Sequence, residues 1–364
     1  MTEPITNLPH KLPAGIHAGP PPRQDDSDGF RKRLLWWFRQ RLPQTDIQIA
    51  HLEVPKSNGY SNETTFVDLA IAGTTERYVL RRAPLRDPIF LGFDLSIERR
   101  TMQALAKAST APVAEVRWFE EDVSILGASF FVMRHVDGRV PSDNPPYSAA
   151  GSGWIADATA RQREQLWWNG LQTLSAVHRV DWKATGLQTP NASGAGPLSR
   201  DLEAFDALYR RGCAGHYRAI LDEAHEFLSD RLPVEPEVRL CWGDARLGNL
   251  MFRDWTCVAV LDWEMSSIGM PEKDLAWWLL MDRYFHEGIG IPRMAGWPTH
   301  EETLRQYAAW VGRPLKDLPY YTVFAAYRSL VIYARFVALG LMPTVPSDLQ
   351  PSARLLRRAL DDAR

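Results

Sequence analysis

The fold class predicted from this sequence is α+β, with a small β-rich N-terminal half and a larger helical C-terminal half. Three observations predict it. Short alternating apolar–polar stretches, broken by turn residues, fill positions 47–136 around a single long helical pattern. Helical patterns take over after a Gly/Ser/Pro/Ala-rich connector at 141–160. A length of 364 residues suits two domains or one large bilobal one. The expected division is a disordered tail at 1–27, an N-lobe at 28–137 and a C-lobe at 138–364.

In chain order, residues 1–27 carry many Pro, Gly and polar residues and no apolar core of a signal peptide. Asp28 can cap a basic amphipathic helix running to about Arg41, with Leu34, Leu35, Trp37 and Phe38 packed inward and its arginines solvated. Ile47–Val54 reads as a strand. Thr64–Ala72 and Arg77–Arg82 read as a hairpin turning at Gly73. Asp94–Ala108 reads as a helix, and Val113–Phe119 and Phe130–Val136 as strands. In the second half, Arg163–Val180 and Leu198–Leu232 are helical patterns and Val238–Trp263 is a compact β segment. Helices are expected at 272–286, 300–311, 319–340 and 347–363.

Composition excludes several classes. The 42 basic and 44 acidic side chains nearly cancel, which leaves no basic footprint for nucleic acid. No apolar run approaches the ~20 residues of a membrane span. Cys213, Cys241 and Cys257 have neither CxxC nor metal-ligand spacing and fit a reducing cytoplasm. Only seven of the 42 basic residues are lysine, so a lysine required by chemistry is easy to find or conspicuously missing.

The strongest chemical signal is Leu240-Cys-Trp-Gly-Asp244-Ala-Arg246-Leu-Gly-Asn249, followed by Cys257-Val-Ala-Val-Leu-Asp262-Trp-Glu264. An Asp followed by an Asn five positions on, then a hairpin ending in an Asp, is the order that phosphoryl transfer uses. One Asp takes the proton of the attacking hydroxyl, and the Asn and second Asp hold Mg²⁺ against nucleotide phosphates. An Asp/Asn-capped hairpin without chemistry is the plain alternative.

These motifs resemble the aminoglycoside phosphotransferase family, the small-molecule branch of the protein-kinase-like fold. The branch they resemble is that of the kinase-like domains attached to acyl-CoA dehydrogenases. The resemblance runs from about Ile47 to Leu339 and extends to Gly269-Met-Pro-Glu-Lys-Asp274. It implies a bilobal fold with nucleotide between a β-rich N-lobe and a helical C-lobe. It implies Asp244 as catalytic base, Asn249, Asp262 and Glu264 around the metal, and Asp274 as a structural brace of the loop. It places Ser57, Asn58, Gly59, Tyr60, Ser61 and Asn62 at the phosphate-covering hairpin. It places Arg81 where the family most often has the phosphate-gripping lysine, with Glu98 as its helix partner and Lys56 as the fallback cation. Met133 and His135 fall on the hinge facing the purine, which leaves ATP versus GTP open.

Two departures stand out. Trp242 replaces the family's usual His before Gly-Asp. Arg246, two residues after the base, could neutralise the transferred phosphate, contact the acceptor or lie on the surface. Arg179-Val-Asp181, after His178, superficially matches a His-Arg-Asp motif but lacks an Asn at the right spacing and reads as a helix end. Trp167, Trp168, Trp277 and Trp278 read as core by default, although some could line an acceptor pocket. The absence of an acidic cluster in the last 90 residues argues against a polycationic acceptor. The implied function is Mg²⁺-dependent transfer of the γ-phosphate of ATP or GTP to a small-molecule hydroxyl. The acceptor ranking starts with a hydroxyacyl-CoA or another lipophilic alcohol, ahead of a macrolide or aminoglycoside. The alternative is a non-catalytic nucleotide- or ligand-binding pseudokinase. Oligomeric state is not legible.

Overall fold

The computed structural model describes residues 27–42, 44, 46–55, 62–85, 88–187, 196–235 and 237–364. Residues 1–26 of the expected tail, Lys56 and the turn residues Ser57, Asn58, Gly59, Tyr60 and Ser61 lie outside them, while Ser27, expected in the tail, is the first residue of a helix.

The N-terminal half is a five-stranded antiparallel sheet in the order β1-β2-β3-β5-β4. Its strands are β1 (Ile47–Glu53), β2 (Glu63–Ile71), β3 (Thr74–Arg82), β4 (Val116–Glu120) and β5 (Phe130–Arg134). β2 and β3 pair from Glu63↔Arg82 to Ile71↔Thr74. The two residues between them, Ala72 and Gly73, both have positive φ. That geometry gives the turn the twist of the strands it joins, and glycine adopts it without strain.

Helix α1 (Ser27–Arg39) covers one face of this sheet, burying Leu34, Trp37 and Phe38 against Tyr78, Leu80, Phe130 and Val132. Its arginines are not simply solvated, as the sequence suggested. Arg31 and Arg39 donate to the Ile49 and Ile47 carbonyls of β1. β1 is an edge strand, and these guanidinium groups satisfy carbonyls that would otherwise await another strand.

Helix α2 (Leu95–Ala108) lies across the other face, capped by Asp94, whose side chain accepts from the Ser96 N–H. A helical turn, α3 (Val123–Leu126), links β4 to β5. Val79, Leu95, Leu105, Phe131 and Met133 belong to the core of the C-terminal half, so the two halves share one apolar interior.

That half begins with α4 (Ala160–His178), opened by a Thr159/Gln162 capping box. The single helix expected over 198–232 is two, α5 (Pro197–Gly212) and α6 (Arg218–Asp230). Ala214, Gly215 and Tyr217 take positive φ between them, which ends the α-helical path. Then come β6 (Arg239–Cys241), β7 (Leu250–Arg253), β8 (Thr256–Val260) and β9 (Ser267–Gly269). β7 pairs with β8, and β6 with β9, a strand the sequence did not signal. Helices α7 (Glu272–Phe285), α8 (His300–Val311), α9 (Leu318–Ala338) and α10 (Pro351–Asp362) complete the chain. No helix among the described residues is long and apolar enough to cross a membrane.

Candidate active site

Gly243 forces the first turn of the site. It has φ +91°, and a Cβ there would overlap the Met265 carbonyl. Only glycine lets the loop after β6 pass this close to the segment after Asp262. The loop is held from below by Asp274 on α7, a fully buried carboxylate. Its two oxygens accept from the backbone N–H groups of Trp242 (2.6 Å) and Gly243 (2.9 Å). His178, at the end of α4, lies 3.0 Å from Asp274 through Nε2, and its Nδ1 meets the Tyr307 hydroxyl. His178 is thus a buried link in this brace, a role its place in the His-Arg-Val-Asp string did not suggest.

Burial pushes the Asp274 carboxyl up. The hydrogen bond and charge of His178, with Lys273 and the Gly243 N–H, outweigh burial and hold it below its ordinary value of 3.8. A carboxylate depressed in this way stabilises the fold fully above the unfolded value, and that stability is lost as pH falls through the folded value. Asp274→Asn is therefore expected to lose roughly 2–4 kcal/mol at pH 7. The gap to wild type should shrink below about pH 4. Urea midpoints at pH 7 and pH 3 test this, and an equal gap at both would refute it.

Trp242 also joins the two chemical loops. Its indole N–H donates to the Leu261 carbonyl at 2.8 Å, with the Asp262 carbonyl 3.3 Å away. The Leu261 N–H donates to the Asn249 carbonyl at 2.9 Å. Tryptophan in place of the usual histidine thus adds a tie between the Asp244 loop and the Asp262 loop.

Asp244 is the hub. Asn249 Nδ2 donates to its Oδ2 at 2.6 Å and Arg246 Nε to the same oxygen at 3.1 Å. The indole of Trp277 on α7 donates to Oδ1 at 2.7 Å. Arg246 also reaches Asp143 at 2.6 Å, so it is neither free nor on the open surface. Burial works against the Arg246 charge, and the carboxylates of Asp143 and Asp244 more than reverse that.

Asp262 lies opposite, with φ +61°, a left-handed conformation that Asp tolerates better than most residues. Its Oδ1 is 3.2 Å from Arg81 on β3. Arg81 also pairs with Glu98 on α2 at 3.3 Å and donates to Thr64 Oγ at 3.0 Å. Burial opposes the Arg81 charge, and Glu98, Asp262 and Glu264 restore it. Glu98 is buried and paired, not a solvated helix face. Asn62 completes the corner, donating to Glu98 at 3.0 Å and to Glu264 at 3.3 Å.

Asn249 spends its amide N–H on Asp244, which leaves its side-chain oxygen for another partner. Together with the Asp262 carboxylate it offers hard oxygen donors, the set that Mg²⁺ prefers. Met133 is buried in mid-sheet, between Val79 and Val116. The His135 N–H is engaged by the Arg77 carbonyl.

Asp143 was not legible as a site residue, and Trp277 only as one of four tryptophans of which some could line a pocket. Asp143 sits in the connector with no motif around it, and Trp277 reads as one more core aromatic. Trp167 and Trp278 are indeed buried in the core, and Trp168 packs against it.

Residues 53–310 match the model of a family described as the phosphotransferase enzyme family, APH. Acyl-CoA dehydrogenase family member 10 of Mus musculus is 29% identical over 320 residues, covering 85% of this chain and 28% of that protein. Member 11 of the same organism is 27% identical, covering 76% of this chain and 35% of that protein. The chain thus spans about a third of the length of the curated relatives it matches. A solved structure from Ralstonia eutropha, provisionally assigned as an aminoglycoside phosphotransferase, is 26% identical. It covers 91% of this chain and 95% of its own, with a TM-score of 0.64.

Proposed function

The chain belongs to the phosphotransferase enzyme (APH) family, and from that premise we propose that it is a Mg²⁺-dependent small-molecule kinase. It moves the γ-phosphate of ATP or GTP to an acceptor hydroxyl. The observation that carries this reading is the convergence of Asp244, Asn249, Asp262 and Arg81 between the sheet and the helical half, each tied to a neighbour by hydrogen bonds.

In this reading Asp244 orients the acceptor hydroxyl and takes its proton as the oxygen attacks the γ-phosphorus. The new bond is acceptor O–P, and the bond that breaks is the β–γ bridging P–O, with the nucleoside diphosphate leaving. Trp277 and Asn249 fix the rotamer of Asp244, so the base needs no rearrangement to act. Asn249 and Asp262 would hold Mg²⁺, and the bound ion would neutralise phosphate charge. Arg81, held by Glu98 and Thr64, grips phosphate oxygens in place of the usual lysine. An arginine there offers a planar fork in place of a point charge. Arg246, already balanced between two carboxylates, is placed to meet the charge of the transferred group. The purine edge meets the backbone from Val136 onward, since the His135 amide is taken. The family relatives support a hydroxyacyl-CoA or another lipophilic alcohol as acceptor. The intact base-and-metal set disfavours a pseudokinase.

The test is thermal stabilisation by ATP and by GTP, each with and without Mg²⁺. A nucleotide at ~100 times its dissociation constant should add about 2.7 kcal/mol. Mg²⁺-dependent stabilisation by one of them is the expected result, and no shift with either would overturn the reading.

A further inference from the structure

Beside the Asp244 loop a cavity of about 130 Å³ opens between α5, α9 and the segment after Asp262. Four charged side chains line it. Three of them have hydrogen-bond or ion-pair partners. Lys273 contacts Asp201 and donates to Ser267 at 2.6 Å, and Glu264 accepts from Asn62. The fourth, Arg328 on α9, is 2% exposed and has no ion pair among the described residues. One of its nitrogens donates to the Gly243 carbonyl at 2.8 Å, while Nε and the other terminal nitrogen meet no hydrogen-bond partner. The guanidinium lies 4.6 Å from the ring of Trp277 and 5.1 Å from that of Phe205. Aromatic faces attract a cation but leave its N–H donors unused. A buried guanidinium with open donors at a cavity wall is a seat that an oxyanion can fill.

We propose that Arg328 receives an oxyanion of the acceptor, a carboxylate or a phosphate. The acceptor is then a hydroxylated acid or phosphoester and not a polycation or a neutral alcohol. The inference rests on the kinase reading of the same site. Arg328 grips the carbonyl of Gly243, the residue before the base, so an anion seated here brings the rest of the acceptor alongside Asp244. Trp277 stacks on Arg328 and donates to Asp244, so the anion site and the base share one support. Lys273 answers Asp201 and Glu264 lies in the field of Arg81, while Asp201, Asp274 and Asp244 act on Arg328 from beyond ion-pair distance, so its open N–H donors are the unfilled positions of the wall. Burial lowers the Arg328 pKa from its ordinary value, and an anion in the cavity would remove that penalty.

The experiment measures binding of the anion and binding of the nucleotide separately. Inorganic phosphate, 3-hydroxybutyrate and glycerol 3-phosphate are titrated by intrinsic tryptophan fluorescence, with AMP-PNP and Mg²⁺ present to fill the nucleotide's phosphate sites. Methyl 3-hydroxybutyrate and glycerol are the neutral controls. At least one anion is expected to bind, its neutral counterpart not, and Arg328→Gln is expected to weaken binding on the order of 10–100-fold. Binding by 3-hydroxybutyrate alone assigns a carboxylate, and binding by the phosphates alone assigns a phosphate. If Arg328→Gln does not fold, Phe205→Trp, which narrows the cavity and keeps the arginine, should weaken the same anion. No anion binding, equal binding of the neutral controls, or binding unchanged in the variants overturns the inference. Nucleotide binding is read independently, so a failure of the kinase reading is told apart from a failure of this one.

Discussion

Asp244→Ala is expected to lower turnover by about 10³-fold or more, with nucleotide–Mg²⁺ affinity changed by no more than about threefold. The geometry separates the two effects. Asp244 is tied to Asn249, Arg246 and Trp277, all in the helical half, while the proposed phosphate grip rests on Arg81, Glu98 and Thr64 of the N-terminal half. Removing the carboxylate also leaves the Trp277 indole without its acceptor and the Asn249 amide with only the backbone carbonyl of residue 244, at 3.2 Å, which destabilises the fold by about 1–3 kcal/mol. Asp244→Asn separates chemistry from packing. It keeps an oxygen for Trp277 but sets an amide N–H₂ against the Asn249 and Arg246 donors and cannot take a proton, so it keeps the side-chain volume and one acceptor that Asp244→Ala loses, while its turnover should stay as low. The measurements are initial rates of nucleoside diphosphate release with an acceptor that the wild type phosphorylates, and thermal titration with nucleotide. Turnover of Asp244→Asn within tenfold of wild type would remove Asp244 from the role of base.

The sequence disclosed those parts of the molecule whose physics is local. The β2–β3 hairpin was legible because a positive-φ turn wants Gly73. Helix α2 was legible because Asp94 caps a run with helical period. The Asp244–Asn249–Asp262 order was legible because spacing along a loop and hairpin carries the chemistry. What stayed hidden depends on contacts far apart in sequence. Trp277 reaches Asp244 across 33 residues and Arg246 reaches Asp143 across 103. No pattern in either stretch signals the meeting. The break between α5 and α6 was missed because the apolar period continues on both sides of it. The solvated arginines of α1 were misjudged because an amphipathic helix shows which face is polar, but not that an edge strand lies beneath its rim. Arg328 was invisible for a similar reason. In an apolar helix it looks like an isolated charge, and only packing shows that it faces a cavity with two of its nitrogens unpartnered.

Asp262→Ala is expected to abolish the Mg²⁺-dependent part of nucleotide stabilisation and to leave turnover at background. Two effects must be kept apart in this variant. The carboxylate is lost, and with it one of the two hard donors proposed for the metal. Alanine must also adopt the left-handed backbone of position 262, at φ +61°, which costs roughly 1 kcal/mol or more for a residue with a Cβ and no local hydrogen-bonding side chain. Asp262→Asn removes the charge while keeping a side chain that tolerates this conformation, so it isolates the metal effect. Arg81 provides an internal check. It is shared between Asp262 and Glu98, and losing one carboxylate leaves the other in place. The phosphate grip should therefore survive, and metal-free nucleotide binding should be equal to or slightly tighter than wild type. The expected signature is a stability gain from nucleotide that no longer depends on Mg²⁺. If Asp262→Asn instead retained the full Mg²⁺ increment, the metal would have to be held elsewhere, and the pairing of Asn249 with Asp262 as its ligands would fall.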